Sequence, residues 1–406
     1  MLAITGEMAR GAGAPDAPQQ FGALRQAAHE AHQRGDKAAY LEGSKRLYEF
    51  LNASPQARLQ LIAAELFAGD SAAALSSLHD YVVMGGSYDD ALKDQRFDAL
   101  RAQPGFGDES AGMAKNAAPE SHSTRQLALE PAEFVPEDID YDAPSDTFFI
   151  TSVLNRSIIS VRHLKDVHTF AMSPDSWPMM AIKVDGARGH LWATEIAAGE
   201  GQSAVLEYDL HGNLLKRLPG PKGSQFGDMA LEADGAVLVA DGEGGGIYRV
   251  AAAEDRLRRI DRGDFVSPQT PCPLPDGRIL IPDYVRGIGS LDPKSGRVQW
   301  LRAPRHQLDG IDGLYRYGRT LIATQNGASP ERVVRFDMDP TLLHVESEYV
   351  IERSTPTLGD PTHGVVVGKY FYYLANSGWP GLDEHARKKT GAVLSAPLLM
   401  RAPLAP

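Results

Sequence analysis

One cysteine, Cys272, is all that 406 residues contain. That excludes an intrachain disulfide and any metal site built on several thiolates. Cys272 itself reads as a small buried residue on an inner strand. No run of about 18 apolar residues occurs, so no membrane-spanning helix is expected. Positive charge is also short. Lys and Arg number 41 against 53 Asp and Glu, a net charge of −12. A nucleic-acid partner would need a basic face, which this balance speaks against; a cation site is compatible with it. The familiar enzyme signatures are missing too. There is no Gly-x-Ser-x-Gly elbow, no His-Glu-x-x-His helix and no phosphate-binding glycine loop. The glycine-rich stretch from Gly242 to Gly246 joins two apolar runs and reads as a hairpin turn.

What the chain does have is glycine (40) and proline (27), the punctuation of many tight turns. It also has an internal repeat. Opening residues Glu137, Met180, Gly227, Gln269, Asp312 and His363 recur at intervals of roughly 40–50 residues, each followed by short apolar runs of period two. The second runs are Thr147–Thr151, His190–Thr194, Ala236–Ala240, Arg278–Pro282, Thr320–Thr324 and Tyr370–Ala375. The third runs are Ser157–Val161, Val205–Asp209, Gly246–Val250, Gly287–Asp292, Arg332–Asp337 and Ala392–Ala396. Such runs are strands, and about four per repeat predict a mainly-β fold, a six-bladed β-propeller over 125–400.

Blades one to five leave room for a fourth strand. Blade six runs out of chain, and its tail Arg401–Pro406 is proline-rich. Proline cannot donate to a ladder, so the missing outer strand is expected from Arg125–Leu129, just before blade one.

The N-terminal part differs in kind. Met1 to Gln20 is rich in Ala, Gly and Pro and reads as a disordered leader rather than a signal peptide. The compartment stays open: cytoplasmic as written, periplasmic or secreted if a signal peptide stands upstream. Residues 21–106 carry helical spacing of apolar residues. Gly35-Asp36 and Gly69-Asp70 lie 34 residues apart and precede matched small residues, Ala38, Ala39 and Leu41 against Ala72, Ala73 and Leu75. That period is tetratricopeptide-like. Two repeats and a closing helix around Tyr88–Ala102 are expected, packed on the propeller or on a protein partner, or serving as a plain helical cap. Residues 107–124, with few bulky apolar side chains, read as a flexible linker.

In a propeller, residues opening the innermost strands converge on the central channel. Here those are Glu137, Met180, Gly227, Gln269, Asp312 and His363, with acidic neighbours Asp138 and Asp228. Two carboxylates and an amide oxygen make a hard-oxygen site suited to calcium; zinc would find only His363. The alternative for each is a polar residue bonding its own loop, a common turn device for Asp before Gly.

Four stretches carry a family resemblance. Phe134-Val135-Pro136-Glu137-Asp138-Ile139, Gln225-Phe226-Gly227-Asp228, Ser267-Pro268-Gln269 and Ile311-Asp312-Gly313-Leu314 resemble the senescence marker protein/gluconolactonase family, over about Phe134 to Leu399. More closely, the chain resembles bacterial proteins that join a tetratricopeptide-like region to such a propeller. The resemblance implies a six-bladed lactonase with a divalent cation, usually calcium, on the channel axis. It implies Glu137, Gln269 and Asp312 as the metal ligands, and Asp312 also as the base that activates water. Asp228 and Asp138 would lie on the substrate side, and His363 would assist or hold the leaving oxygen. The chain departs from the family at three places. Gln269 replaces an Asn, Gly227 stands where an Asn-Asp pair is typical, and Thr270-Pro271-Cys272-Pro273 replaces a Gly-apolar run. Three functions follow as expectations: a metal-dependent lactone or ester hydrolase, a binding propeller for a small molecule or protein, and a structural metal site.

Overall fold

A computed structural model describes residues 15–87, 95–130, 133–252 and 254–404. Alternating apolar runs become a six-bladed propeller. Blade one spans 136–172, blade two 179–219, blade three 226–259 and blade four 272–300. Blade five spans 313–353 and blade six 364–403; a strand from before blade one adds to the outer edge of each. All neighbouring strands within the blades pair antiparallel.

The core sits between blades. Ile139 and Phe148 pack on Leu374 and Leu399, Ile158 on Ile182 and Leu191, and Val205 on Phe226 and Val237. Leu238 packs on Ile279 and Ile281, Leu280 on Leu314 and Val334, and Ile322 on Phe371 and Tyr373. Six seams close the ring, so the blades bury both faces and the second strands are buried along nearly their whole length.

Ring closure follows the expectation from the missing strand. Thr124–Ala128 pairs with Leu398–Pro403 of blade six, Arg125 opposite Met400 and Leu127 opposite Leu399. One blade-six reading needs correction. The third strand is Leu398–Pro403, not Ala392–Ala396, and it takes in part of the tail. Pro403 sits at the strand's end, where a missing N–H costs little. The residues 375–397 freed from the strand form a long loop across the channel mouth. Leu382 and Ala386 of this loop pack on Val135, Val153, Met180 and Ile196.

Ahead of the propeller, helices α1 (Ala17–Gln33), α2 (Lys37–Phe50), α3 (Pro55–Ala68) and α4 (Ser71–Val83) form two hairpins. The repeated Gly-Asp pairs mark the turns. Asp36 and Asp70 cap α2 and α4 by accepting the amides of Ala39 and Ala73, each at 3.0 Å. Helix α1 begins inside the segment read as a leader; 1–14 lie outside the described residues. So does 88–94 of the expected closing helix, beyond which Gln95–Phe97 makes a 3₁₀ turn and Asp98–Arg101 a single helical turn.

The expected flexible linker is largely structured. Phe106–Asn116 is a helix whose Asn116 amide donates to the Val82 and Gly86 carbonyls, at 2.8 and 2.9 Å. Glu120–Ser121 adds a fifth strand to blade five. Its small residues serve close packing: a Cβ at Gly112 would fall 2.5 Å from a Val82 methyl. No helix among the described residues is long and apolar enough to cross a membrane.

The hairpins dock on the end of the propeller where the innermost strands begin. Loops joining second to third strands lie at that same end, because antiparallel strands reverse. Asn52 Nδ2 donates to Arg286 O at 3.0 Å and Arg286 Nε to Phe50 O at 3.1 Å. The Arg286 guanidinium lies 4.4 Å from the Phe50 and Trp300 ring centres. Ala17 N donates to Gly263 O at 2.8 Å, and Ser87 N to Ser329 O at 2.6 Å. The channel mouth is therefore walled by helices above blades three to five and by the 375–397 loop above blades one, two and six.

Candidate metal and catalytic site

The innermost strands are bent where they begin. Register shifts fall between Pro136 and Ile139, Met179 and Ile182, and Phe226 and Asp228. A bulge of this kind re-aims side chains. Threonines ending the second runs hold the bends. Thr151, Thr194 and Thr324 accept the amides of Asp138, Ala181 and Gly313 through Oγ1, each at 2.9 Å. The Thr151 and Thr324 hydroxyls then donate to Met180 O and Thr362 O in the next blade.

This scaffold brings Glu137, Asp312 and His363 together. One ligand atom from each lies within 4.8 Å of the others, and all three residues are buried. Asp228 joins them: His363 Nε2 is 2.7 Å from its Oδ1, and His363 Nδ1 is 2.9 Å from the Glu137 carbonyl. A carboxylate and a carbonyl both accept, so both ring nitrogens carry hydrogen and His363 is an imidazolium. Burial works against that charge, but the negative charges of Asp312, Asp138 and Asp228 outweigh it and hold the pKa well above the usual histidine range.

The carboxylates are pushed the other way. Burial raises Asp312 to about 7, opposed by His363 and reinforced by Asp228 and Asp360. Burial, then the Asp312 charge, raises Glu137 well above the usual carboxylate range. Asn326 Nδ2 donates to Asp312 Oδ2 at 2.9 Å, and the Trp379 indole N–H donates to Glu137 Oε2. Among the described residues, no hydrogen bond occupies the second oxygen of either carboxylate. Two buried, mutually repelling carboxylates with one oxygen each to offer fit a divalent cation that would neutralise them.

Other sequence-expected residues are placed differently. Gln269 turns its amide nitrogen to Ser267, 3.3 Å from the carbonyl and 3.2 Å from Oγ, and no hydrogen bond ties it to Glu137 or Asp312. The following Thr270 is the better-connected residue: its hydroxyl lies 2.6 Å from Asp228 Oδ1 and 3.0 Å from Asp312 O. Asp138 is buried in the seam between blades one and two. Its carboxylate accepts from Lys183 Nζ at 2.5 Å, Ile182 N at 2.9 Å and Ile139 N at 2.8 Å. Both its oxygens are taken, so the substrate-side position expected for it is corrected to an interblade tie. Cys272 is buried on the inner strand of blade four, where burial raises its thiol to about 12.

Asn326 and Trp379 were not singled out in the sequence, and Thr270 entered only as part of the run that departs from the family pattern. For Thr270 a signal existed in its place beside an opening residue; Asn326 and Trp379 lie beyond second strands and carry no local mark.

No protein-family model matches the chain, and no curated protein matches it. Solved structures do. An aldose sugar dehydrogenase from Streptomyces coelicolor, in its PQQ-bound form, aligns with a TM-score of 0.50 and 12% identity over 70% of this chain and 99% of that one. A streptogramin B lyase aligns at 0.49 and 16% identity, over 70% and 97%. A gluconolactonase from Xanthomonas campestris aligns at 0.48 and 15% identity, over 69% and 88%. At 12% identity the likeness to the dehydrogenase bears on the fold alone.

Proposed function

We propose that this chain is a gluconolactonase-like hydrolase acting on a lactone or ester in the central channel, with calcium or a related divalent cation held by Glu137 and Asp312. The observation that carries this reading is the convergence of two buried carboxylates, Glu137 and Asp312, whose oxygens lie within 4.8 Å of each other; the His363 imidazolium beside them is not a ligand. Gln269 stays a candidate third ligand through Oε1, because it is the amide nitrogen that is committed to Ser267.

A bound cation would supply Lewis-acid polarisation of the substrate carbonyl. The chain's residues supply the rest. Asp312, with one oxygen anchored by Asn326, suits proton abstraction from water. The His363 imidazolium, fixed by Asp228 and the Glu137 carbonyl, places positive charge beside Asp312 and favours negative charge developing in the pocket. The helices and the 375–397 loop narrow the mouth and select a small molecule.

A non-catalytic ligand-binding propeller is favoured by one observation. Both nitrogens of His363 and one oxygen of each carboxylate already have protein partners, as in a structural network. The two readings separate in one assay. Purified protein is tested on a panel of lactones and esters with and without calcium. Turnover that needs the cation supports the hydrolase. Calcium-dependent ligand binding without turnover supports the scaffold.

A further inference from the structure

The loop bearing Asp312 is held by an unbroken chain of contacts from the helical hairpins. Gln56, in the first turn of α3, donates through Nε2 to Gly327 O at 2.8 Å. Its backbone N–H donates to buried Asp309, three residues before Asp312, at 3.3 Å. Gly327 lies under the Tyr284 ring and against Gly310; a Cβ on it would fall 2.6 Å from the ring and 2.7 Å from Gly310 Cα. Gly310 has φ +63°, and a Cβ there would meet Gly327 at 2.5 Å. Two glycines at this crossing let the loops touch, and no larger residue fits either position. The Tyr284 hydroxyl donates to Asn326 Oδ1 at 3.0 Å, and Asn326 Nδ2 donates to Asp312 Oδ2 at 2.9 Å. Gly310 N donates to Tyr284 O at 2.7 Å, closing the circuit.

We propose that Tyr284 and Asn326 are positioning residues for Asp312, and that helix α3 holds them in place through Gln56, so that the helical hairpins are a working part of the propeller's site. The proposal rests on the cation-site reading above and extends it. The Tyr284 hydroxyl orients the Asn326 amide so that nitrogen, not oxygen, faces Asp312. That donor takes up Asp312 Oδ2 and leaves Oδ1 as the oxygen presented to the pocket. Without that partner, only the Asp312 carboxylate would orient the amide. Residues that orient a metal ligand typically govern about 10–100-fold in affinity.

The experiment uses the full chain and two readouts. Calcium is titrated calorimetrically into wild type, Tyr284→Phe, Asn326→Ala, the double variant and Gln56→Met, which keeps the volume and loses the donor. Asn326→Ala is expected to weaken calcium about 10-fold, Tyr284→Phe by less, and the double variant no more than Asn326→Ala alone, because both act along one path. Hydrogen–deuterium exchange over 307–315, compared with blades one and two as internal reference, gives the second readout. Gln56→Met is expected to speed exchange around Gly327, which loses its donor, and through the Gly327–Gly310 contact over 307–315, with blades one and two unchanged. Wild type that fails to bind calcium sinks the cation reading, and the exchange result then decides the positioning claim. Variants that bind calcium like wild type, or unchanged exchange over 307–315, overturn the proposal and leave the hydrolase reading standing.

Discussion

His363 Nε2 lies 2.7 Å from Asp228 Oδ1, with both side chains buried. The pair joins blade six to blade three across the axis, so it ties opposite sides of the ring. Removing the cation side of such a pair leaves a buried carboxylate without its counter-charge. His363→Ala should therefore destabilise the fold by about 3–5 kcal/mol. Urea unfolding checks this, and His363→Ala with Asp228→Ala should recover part of the loss. A single variant as stable as wild type would mean that Asp228 finds another partner.

Hydrolysis, if present, should depend on Asp312 more than on His363. Asp312→Asn removes a cation ligand and the base together, while His363→Ala removes a neighbouring charge. A general base contributes about 10²–10⁴-fold. Steady-state rates should fall by at least that much for Asp312→Asn and leave a measurable remainder for His363→Ala. Equal residual rates would assign the base elsewhere.

Calcium should raise the melting midpoint, because a ligand bound only by the folded state stabilises it. The gain is about 2.7 kcal/mol at 100 times the dissociation constant. Glu137→Gln and Asp312→Asn should each remove most of the shift. A wild-type midpoint indifferent to calcium, magnesium and manganese would count against a metal site.

Asp309 should make stability pH-dependent at the joint between helices and propeller. Burial raises its pKa to about 6, despite the Gln56 amide that favours the charged form. The protonated form is thus the one the fold prefers. Its contribution is whole below about pH 4 and is lost as pH rises through about 6. Asp309→Asn keeps an acceptor for Gln56 and has no charge to lose. It should match wild type near pH 4 and exceed it at pH 8 by up to about 3 kcal/mol. Midpoints measured across that range check the sign; a variant weaker than wild type at pH 8 would show that the carboxylate is stabilised by α3.

Strand periodicity, the six repeats and the closing strand were all readable from the chain, because each is a local pattern repeated with the fold's own period. Blade six lacked a fourth strand, and Thr124–Ala128 supplies it. Asp36 and Asp70 announced their turns and cap α2 and α4. Composition misled where it was the whole argument. The Gly, Ser and Ala of 107–124 suggested a loose connection, yet the same small side chains let Phe106–Asn116 pack closely on α4.

At the axis the sequence determined which residue types arrive, and the tertiary structure decided what each one meets. Glu137, Asp312, His363 and Asp228 converge because they open innermost strands. Asp138, adjacent in sequence to Glu137, points into a seam and pairs with Lys183, while Gln269 turns back to Ser267. Trp379 reaches Glu137 from 242 positions away and Asn326 reaches Asp312 from 14. Alternation says which face of a strand a side chain takes. Its partner depends on how six blades close into a ring, and that distance exists only once the interblade seams have packed.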